Sequence, residues 1–291
     1  MNVLSVDYRS PDAPKQFAKS LHETGFAVLK NHPIPHSLIN HVFADWEAFF
    51  KTEAKHQYKY DPKLQSGYFP FRTENAKDHS VKDLKEFYHL YVWDKLPAGV
   101  PNRTWEMFHG MSRLASELLK WIEDESPAEI KKQFSMPLPQ MIEDSKEVLL
   151  RPIHYPPLTG GEEQGAIRAA AHEDINLITL LPAATAPGLE VKDKNGKWIG
   201  ISCDPGQLAI NAGDMLQMAS GGYYVSTTHR VVNPHGPEAK LPRYSMPLFL
   251  HPRGEVPLSK NHTARSYLEE RLREIGLLKQ GEKKSNCPQP L

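Results

Sequence analysis

The sequence predicts a mainly β domain with flanking helices, and three observations support this fold class. Residues 148–252 contain many short apolar and β-branched segments separated by turn residues, a pattern typical of a sandwich or barrel. Residues 1–147 instead show apolar side chains at steps of three and four, which is helical spacing. The same spacing returns in residues 263–278. We therefore expect a β core, a helical or mixed N-terminal region packed on it, and a C-terminal helix within 253–279.

The N-terminal region contains three clear helical signals. Ser10 followed by a proline is a typical helix start, and Gly25 is a typical stop. A strand is expected directly afterwards, at 26–29. A second helix is predicted by the apolar stripe between Ile39 and Phe50, and a third by the stripe of residues 105–122. We expect these stripes to pack on the sheet.

The predicted core has its own internal signals. Asn195-Gly196 lies between two β-type segments and predicts a hairpin. The apolar run 175–181, stopped by a proline, and the run 223–228 both favour strands. Residues 280–291 are polar and contain two prolines, so we expect a disordered tail.

Composition narrows the possible partners. Lysine plus arginine equals aspartate plus glutamate, at 35 each, so the formal net charge is zero and nothing favours a nucleic acid or an acidic membrane. Two cysteines cannot build a disulfide framework, which fits a reducing, cytoplasmic setting. No segment reads as a signal peptide or a membrane span. We expect a small-molecule substrate, and the sequence does not indicate the oligomeric state.

Three residues form a candidate metal site. His172 and Asp174 are two positions apart, so both side chains would project from one face of an extended segment. His229 ends another β-type run and could join them. Two imidazoles and one carboxylate are the donor set of non-haem Fe(II) oxygenases, whereas structural zinc usually requires four ligands that include thiolates. One His-x-Asp triplet is expected by chance in a chain with 14 histidines, so the spacing alone proves little.

A second pair of residues strengthens the metal hypothesis. Arg243 and Ser245 would point the same way from a strand. Arginine binds a carboxylate through two parallel hydrogen bonds, and serine adds a third donor. An arginine among the apolar residues of this segment would be costly without an anionic partner. We therefore expect an acidic ligand here.

Several segments together resemble a known family, the isopenicillin N synthase-like branch of the iron and 2-oxoglutarate-dependent dioxygenases. The resemblance covers most of the chain, and Pro33 stands where the family usually has glycine. The matching segments are Thr24–Phe26 with Asn31–His32, then His154–Pro157, Asn211–Leu216, Ser226–Pro234 and Arg243–Pro247. The resemblance implies a double-stranded β-helix, the cupin-like jelly roll, as the core.

The resemblance also implies residue roles. His172, Asp174 and His229 would be the iron ligands and the catalytic centre. Arg243 and Ser245, with Tyr155 as a third contact, would hold the far carboxylate of 2-oxoglutarate. The reaction implied uses Fe(II), 2-oxoglutarate and O2, with ascorbate as a possible support. It oxidises, by default hydroxylates, a small molecule and releases succinate and CO2. The segment containing Tyr68 and Phe69 would border the substrate opening.

Two alternatives stay open on the sequence. The run from His172 to Thr179 is similar to that of isopenicillin N synthase itself, an oxidase that needs no 2-oxoglutarate and whose Arg-x-Ser grips the substrate. The chain departs from that enzyme at Gln65, where the synthase has an arginine for its substrate. The other alternative is a metal-bound jelly roll that senses a small acid without turnover. Neither the substrate nor the type of oxidation can be read from the sequence.

Overall fold

A computed structural model describes residues 1–74 and 81–285 of the chain. Seven α-helices occur in these ranges, together with 3-10 helices at Glu53–Tyr58 and Gly236–Lys240. The α-helices are α1 (Ala13–Thr24), α2 (His36–Phe50), α3 (Arg103–Glu125), α4 (Ala128–Lys131), α5 (Leu138–Ile142), α6 (Asp214–Ala219) and α7 (Ala264–Glu274).

The described residues also form fourteen strands. They are β1 (Ser5–Asp7), β2 (Phe26–Lys30), β3 (Gly67–Phe69), β4 (Glu86–Tyr91), β5 (Leu149–Leu150), β6 (Ile153–Tyr155), β7 (Ala169–His172), β8 (Ile178–Pro182), β9 (Leu189–Lys192), β10 (Trp198–Gly200), β11 (Leu208–Ala212), β12 (His229–Val231), β13 (Arg243–Ser245) and β14 (Leu248–Leu250).

The strands form two sheets. The larger has the order β1-β2-β11-β8-β14-β5-β4-β6-β13, with β3 added on β4, and the smaller has the order β10-β9-β12-β7. Their pairings are antiparallel except for β1 with β2. A small apolar cluster joins the two sheets. It contains Phe69, Phe87, Ile153 and Tyr155 from the larger sheet and Ala169 and Val231 from the smaller one.

The helices cover the outer face of the larger sheet. The buried stripe of α3 packs on α1, α2 and α5 and contacts β8 and β14, while α2 contacts β13. Trp46 and Phe49 of α2 and Met107, Leu114 and Leu118 of α3 lie in this main core. Burial of side chains of this size stabilises by about 1.5–3 kcal/mol each, so the helices hold the sheet in place. The predicted role of the apolar stripes agrees with this packing.

The N-terminal region contributes to the sheet as well as covering it. Strands β1 to β4 precede residue 148, and β4 pairs with both β5 and β6. The boundary expected between 147 and 148 therefore lies inside one continuous sheet. The hairpin expected at Asn195-Gly196 is present, because β9 and β10 pair antiparallel around it.

Three local expectations need correction. Residues 223–228 are not a strand. Their backbone instead bonds to α6 and to the residue that follows it: Tyr224 N–H donates to Ser220 Oγ and Ser226 N–H to the Gln217 side chain. Helix α1 begins at Ala13, later than its predicted cap, and still ends at Gly25 in the left-handed conformation at φ 72°. Helix α6 itself was not predicted, because six residues are too few to show a helical period.

Two residues of the predicted tail contact the rest of the domain. Residues 280–283 are exposed, but Lys284 is 5% exposed and forms an ion pair with Glu147, and Ser285 N–H donates to Lys63 O at 3.0 Å. A polar stretch of sequence does not show that one of its lysines will be buried beside a distant glutamate. The remaining part of the predicted tail, 286–291, lies outside the described residues.

Candidate functional site

The three predicted metal ligands come together. His172 is the last residue of β7 and His229 the first of β12, and the two are direct partners across the strands. Asp174 lies in the loop after β7, with its Oδ1 at 3.9 Å from His172 Nε2 and 3.7 Å from His229 Nε2. One donor atom from each residue lies within 4.8 Å of the other two, and no other such cluster occurs in residues 1–74 and 81–285. These distances let one ion contact all three.

Hydrogen bonds fix which nitrogen of each imidazole faces the centre. His172 Nδ1 lies 2.7 Å from Ala170 O, and His229 Nδ1 lies 3.1 Å from Thr227 O. Because a carbonyl only accepts, each Nδ1 must carry the proton and donate it. The lone pair is then on Nε2, the atom that points towards Asp174. This is the arrangement of a metal-binding histidine oriented by a backbone carbonyl.

The Asp174 carboxylate is held by its other oxygen. Its Oδ2 accepts from Thr179 Oγ1 at 2.6 Å and from Asn211 Nδ2 at 2.7 Å. Asn176 Nδ2 in turn donates to Thr179 Oγ1 at 3.1 Å. Oδ1 therefore remains directed at the two imidazoles. The carboxylate reaches this position although it follows the end of β7, because its loop is tied to β8 and β11.

The close approach of β11 to this loop requires a glycine. Gly213 N–H donates to Leu177 O at 2.9 Å and Asp214 N–H to Asp174 O at 2.7 Å. A β-carbon at Gly213 would collide with Asn176 O and Asp174 O. The Asn-Ala-Gly-Asp segment that carried part of the family resemblance thus has a physical role. The segment supplies the Asn211 side-chain amide that donates to Asp174, and it supplies Gly213, which lets β11 approach the loop that carries Asp174.

Burial sets the charge of the ligand set. Burial, with a smaller effect of the neighbouring His229, lowers the pKa of His172 to about 4, so this imidazole is neutral near neutral pH. Burial alone would raise the pKa of the Asp174 carboxyl group. The two imidazoles and the two hydrogen bonds outweigh it and lower that pKa below its usual value. A neutral imidazole and an ionised carboxylate are the donor forms that a divalent metal needs. The residues present therefore fit Fe(II).

A side-chain contact links the two ligand-bearing segments. Glu173, between His172 and Asp174, accepts a hydrogen bond from the hydroxyl of Thr228, which precedes His229. Glu173 is thus not part of the donor set, as the sequence predicted. The N-terminal Thr-Gly-Phe segment supports His229 from the other side. Thr24 O accepts from Thr227 Oγ1 at 2.9 Å, and Phe26 packs edge-to-face on the His229 ring with centroids 5.5 Å apart.

The predicted carboxylate-binding residues lie together on paired strands. Arg243 on β13 is the direct partner of Tyr155 on β6, and Ser245 is two residues further along β13. Arg243 is 2% exposed, Ser245 4% and Tyr155 3%. The Arg243 guanidinium lies 5.1 Å from the Tyr155 ring centroid and donates through Nε to Ala186 O at 2.9 Å, while its Nη1 has no hydrogen-bond partner among the described residues. Burial lowers the pKa of Arg243, but the group stays charged.

The two predicted substrate residues face different surroundings. Tyr68 is 1% exposed, packs in the main core and donates its hydroxyl to Glu86. Phe69 lies in the cluster between the sheets, together with Tyr155. Its ring stacks between Tyr60 at 4.2 Å and Phe87 at 4.5 Å. Of the two predicted residues, only Phe69 therefore lies on the side of the site.

A buried charged cluster lies beside the histidines. Lys85 Nζ is 2.8 Å from Glu74 and 2.8 Å from Asp83, and Asp83 Oδ1 accepts from Ala170 N–H at 3.0 Å, two residues before His172. Arg151 lies between the rings of Phe87 and Phe249, at 4.9 and 5.0 Å. No role was predicted for this group from the sequence. The hydrogen bond from Ala170 N–H joins β7 to the loop before β4, and the ion pairs of Lys85 hold Asp83 and Glu74 together.

Gln65 is the residue at which the chain departs from isopenicillin N synthase, and its side chain is buried and hydrogen-bonded. Gln65 is 2% exposed and donates through Nε2 to Pro62 O at 2.5 Å and to Leu277 O at 3.1 Å. These bonds tie the loop before β3 to the segment after α7. The side-chain amide nitrogen of Gln65 is thus committed to backbone contacts.

Some residues of the site were missed from the sequence. Thr179 and Asn211 hold the predicted ligand Asp174, and Thr228 contacts Glu173 beside it. Each is an ordinary polar residue whose partner is not apparent from the sequence. Arg168 is a fourth case: it is 1% exposed and lies over the Tyr155 ring at 6.0 Å. A signal was available for Asn211, because it belongs to a segment that matched the family. No helix in the described ranges is both long and apolar enough to cross a membrane.

Comparison with known families agrees with this geometry. Residues 146–252 match the 2OG-Fe(II) oxygenase superfamily, and residues 4–117 match the family described as non-haem dioxygenase in morphine synthesis, N-terminal. The first match covers the expected core and every candidate ligand. The second covers most of the N-terminal region.

Solved structures extend the likeness to nearly the whole chain. A Shewanella oneidensis protein assigned as an oxygenase is 52% identical, with a TM-score of 0.86 over 96% of this chain and 100% of its own. A Caulobacter crescentus protein assigned to the 2OG-Fe(II) oxygenase family is 30% identical, with a TM-score of 0.77 over 94% and 99%. A Neurospora crassa protein, solved in complex with alpha-KG and thymine, is 25% identical, with a TM-score of 0.76 over 94% and 96%. The predicted jelly-roll core with flanking helices is confirmed.

Proposed function

Because the chain belongs to the 2OG-Fe(II) oxygenase superfamily, we propose that His172, Asp174 and His229 bind its Fe(II) and that Arg243, Ser245 and Tyr155 hold its 2-oxoglutarate. Members of this family are dioxygenases, so the protein is an oxidoreductase that depends on Fe(II), 2-oxoglutarate and O2. The single observation that carries the residue assignment is the convergence of the three donor atoms within 4.8 Å.

The chain's own residues position the reactants. His172, Asp174 and His229 would hold the metal through their converging donor atoms, a donor set that suits Fe(II). When bound, the iron would supply, together with 2-oxoglutarate and O2, the oxidising chemistry that yields succinate and CO2. Arg243 orients the far carboxylate of 2-oxoglutarate, assisted by the Ser245 hydroxyl. The apolar cluster around Phe69 keeps water from this end of the site.

The proposed substrate is a small molecule that is oxidised at a C–H bond, with hydroxylation as the outcome. Phe69 is the better candidate for a substrate contact, since Tyr68 packs on the other side of β3. The oxidase that needs no 2-oxoglutarate is not favoured, because the superfamily match and the Neurospora crassa structure with alpha-KG both favour 2-oxoglutarate dependence.

We place the enzyme in the cytoplasm. The two cysteines of the chain are too few for a disulfide framework, which fits a reducing compartment. Fractionation of cells that express the tagged protein tests this placement, and recovery from a membrane or secreted fraction contradicts it.

Succinate formation is the experiment for the proposed reaction. Purified protein is incubated with Fe(II), ascorbate, 2-oxoglutarate and air, and succinate is measured with and without panels of small-molecule classes. We expect slow uncoupled succinate release alone and faster release with a substrate, whose product mass rises by one oxygen. Absence of succinate under all these conditions, from protein shown to contain iron, would overturn the proposal.

A further inference from the structure

Arg168 is a buried cation that the proposed site does not yet use. It precedes β7, is 1% exposed, and makes two hydrogen bonds: Nη2 donates to Leu241 O at 3.0 Å, and its backbone N–H donates to Asn233 Oδ1 at 3.0 Å. Its Nε has no hydrogen-bond partner in the described part of the chain. An isolated buried guanidinium is costly unless an anion compensates it. The described residues give Arg168 no carboxylate partner.

Arg243, the other buried arginine beside Tyr155, likewise has a side-chain nitrogen without a hydrogen-bond partner among the described residues. Arg243 and Arg168 both lie over the ring of Tyr155, at 5.1 and 6.0 Å from its centroid. Within residues 1–74 and 81–285, each guanidinium keeps one buried nitrogen without a partner, Nη1 of Arg243 and Nε of Arg168. Burial and, to a smaller extent, the charge of Arg243 lower the pKa of Arg168. Two buried guanidinium groups thus lie near one tyrosine ring, and no carboxylate in the described ranges pairs with either of them.

We propose that Arg168 is a second positive charge of the 2-oxoglutarate pocket and makes the site select a 2-oxo acid with a far carboxylate. This inference rests on the proposed function, in which Arg243 holds that carboxylate. A carboxylate carries four lone-pair positions and can accept from more than one cation. At short range in a buried site, a second charge also favours a dianionic ligand over a monoanion of the same length. Arg168 therefore contributes to ligand selection, and the iron chemistry does not depend on it.

The test compares two five-carbon ligands, 2-oxoglutarate and 2-oxopentanoate, which differ only in the far carboxylate. Their affinities are measured by calorimetry on protein loaded with Mn(II), so that no turnover occurs. The readout is the ratio of the two dissociation constants. We expect Arg168→Met to reduce the preference for 2-oxoglutarate about tenfold, which corresponds to about 1.4 kcal/mol. Arg168→Lys keeps the charge and should retain most of the preference.

Matched variants separate the possible results. Arg113 is exposed on α3, and Arg113→Met should leave the ratio unchanged. Arg168→Gln keeps a donor for Leu241 O and serves if the methionine variant does not fold; it should lose preference in the same way. If a folded variant without the Arg168 charge keeps the wild-type ratio of the two dissociation constants, the inference is overturned. This holds even if the variant has a lower melting temperature or binds the prime substrate more weakly. If Arg243→Met also leaves the ratio unchanged, the proposed 2-oxoglutarate site itself is wrong.

Discussion

The proposed site has a metal end, formed by His172, Asp174 and His229, and an anion end, formed by Arg243 and Arg168. The two ends satisfy their polar groups in different ways. At the metal end, protein partners take both Nδ1 atoms and Asp174 Oδ2, which leaves three donor atoms facing one point. At the anion end, Arg243 and Arg168 each keep a buried nitrogen without a partner among the described residues. In the proposed site, the fold alone therefore orders the three metal-binding side chains, whereas Arg243 and Arg168 need the bound anion for charge balance. Changes at the first end should affect metal content, and changes at the second should affect ligand affinity.

Removal of a metal ligand should have the largest effect. His172→Ala takes away one of three donors, so iron binding and succinate formation should both fall more than about 100-fold, since partners of ligands alone are worth about 10–100-fold. Iron content is measured by mass spectrometry and succinate by chromatography. His41→Ala, an exposed histidine on α2, is the control and should match the wild type. Wild-type iron content in His172→Ala would contradict the assignment.

Loss of the Arg243 charge should act on the co-substrate and spare the metal. Arg243→Met removes a buried charge-assisted contact of about 2 kcal/mol or more, so the KM for 2-oxoglutarate should rise at least about 30-fold. Iron content should be unchanged. Steady-state kinetics at saturating substrate measures the KM, with Arg113→Met as the charge-matched control. A large loss of iron without a change in KM would remove the distinction between the two ends.

Asn211 should contribute at the metal end without touching the metal. Asn211→Ala deletes one of the two hydrogen bonds on Asp174 Oδ2, and the less ordered carboxylate should weaken metal binding about 10–100-fold. Titration with Mn(II) measures the affinity. Asn261→Ala, at an exposed turn, is the control. The account is weakened if Asn211→Ala instead changes only the KM for 2-oxoglutarate.

The contact of Glu173 with Thr228 should give the smallest effect. A double-mutant cycle with Glu173→Gln and Thr228→Val should show a coupling of about threefold to tenfold in Mn(II) affinity, because the contact joins the two ligand-bearing segments. The exposed pair Lys120 and Asp124 on α3 provides the control cycle, for which no coupling is expected. Additive effects in the first cycle would show that the segments are positioned independently.

The sequence predicted the parts of the fold that depend on local pattern. The stripes of α2 and α3 show a helical period, and Asn195-Gly196 is a local hairpin signal, so these elements were found. Helix α6 is too short for a period, and residues 223–228 have strand-forming side chains but bond to α6. Tertiary contacts override propensity in that segment. Lys284 lies in a polar stretch, and only its distant partner Glu147 explains its burial.

The candidate site divides in the same manner. The donor types and their order were readable, because His172, Asp174, His229 and the Arg-x-Ser pair lie in matching segments of the family. Asn211 is 37 residues from Asp174 and Thr228 is 55 from Glu173, so no local spacing connects them. Arg168 carried no pattern at all. Its significance follows from burial and from a nitrogen without a partner among the described residues, which are properties of the folded chain.

The most direct measurement is a crystal structure of the protein grown without oxygen in the presence of Fe(II) and 2-oxoglutarate. We expect one iron bonded to His172 Nε2, His229 Nε2 and an oxygen of Asp174, with 2-oxoglutarate on the iron and its far carboxylate on Arg243 and Ser245. An iron held by other residues, or a 2-oxoglutarate whose far carboxylate lies away from Arg243, would contradict the account.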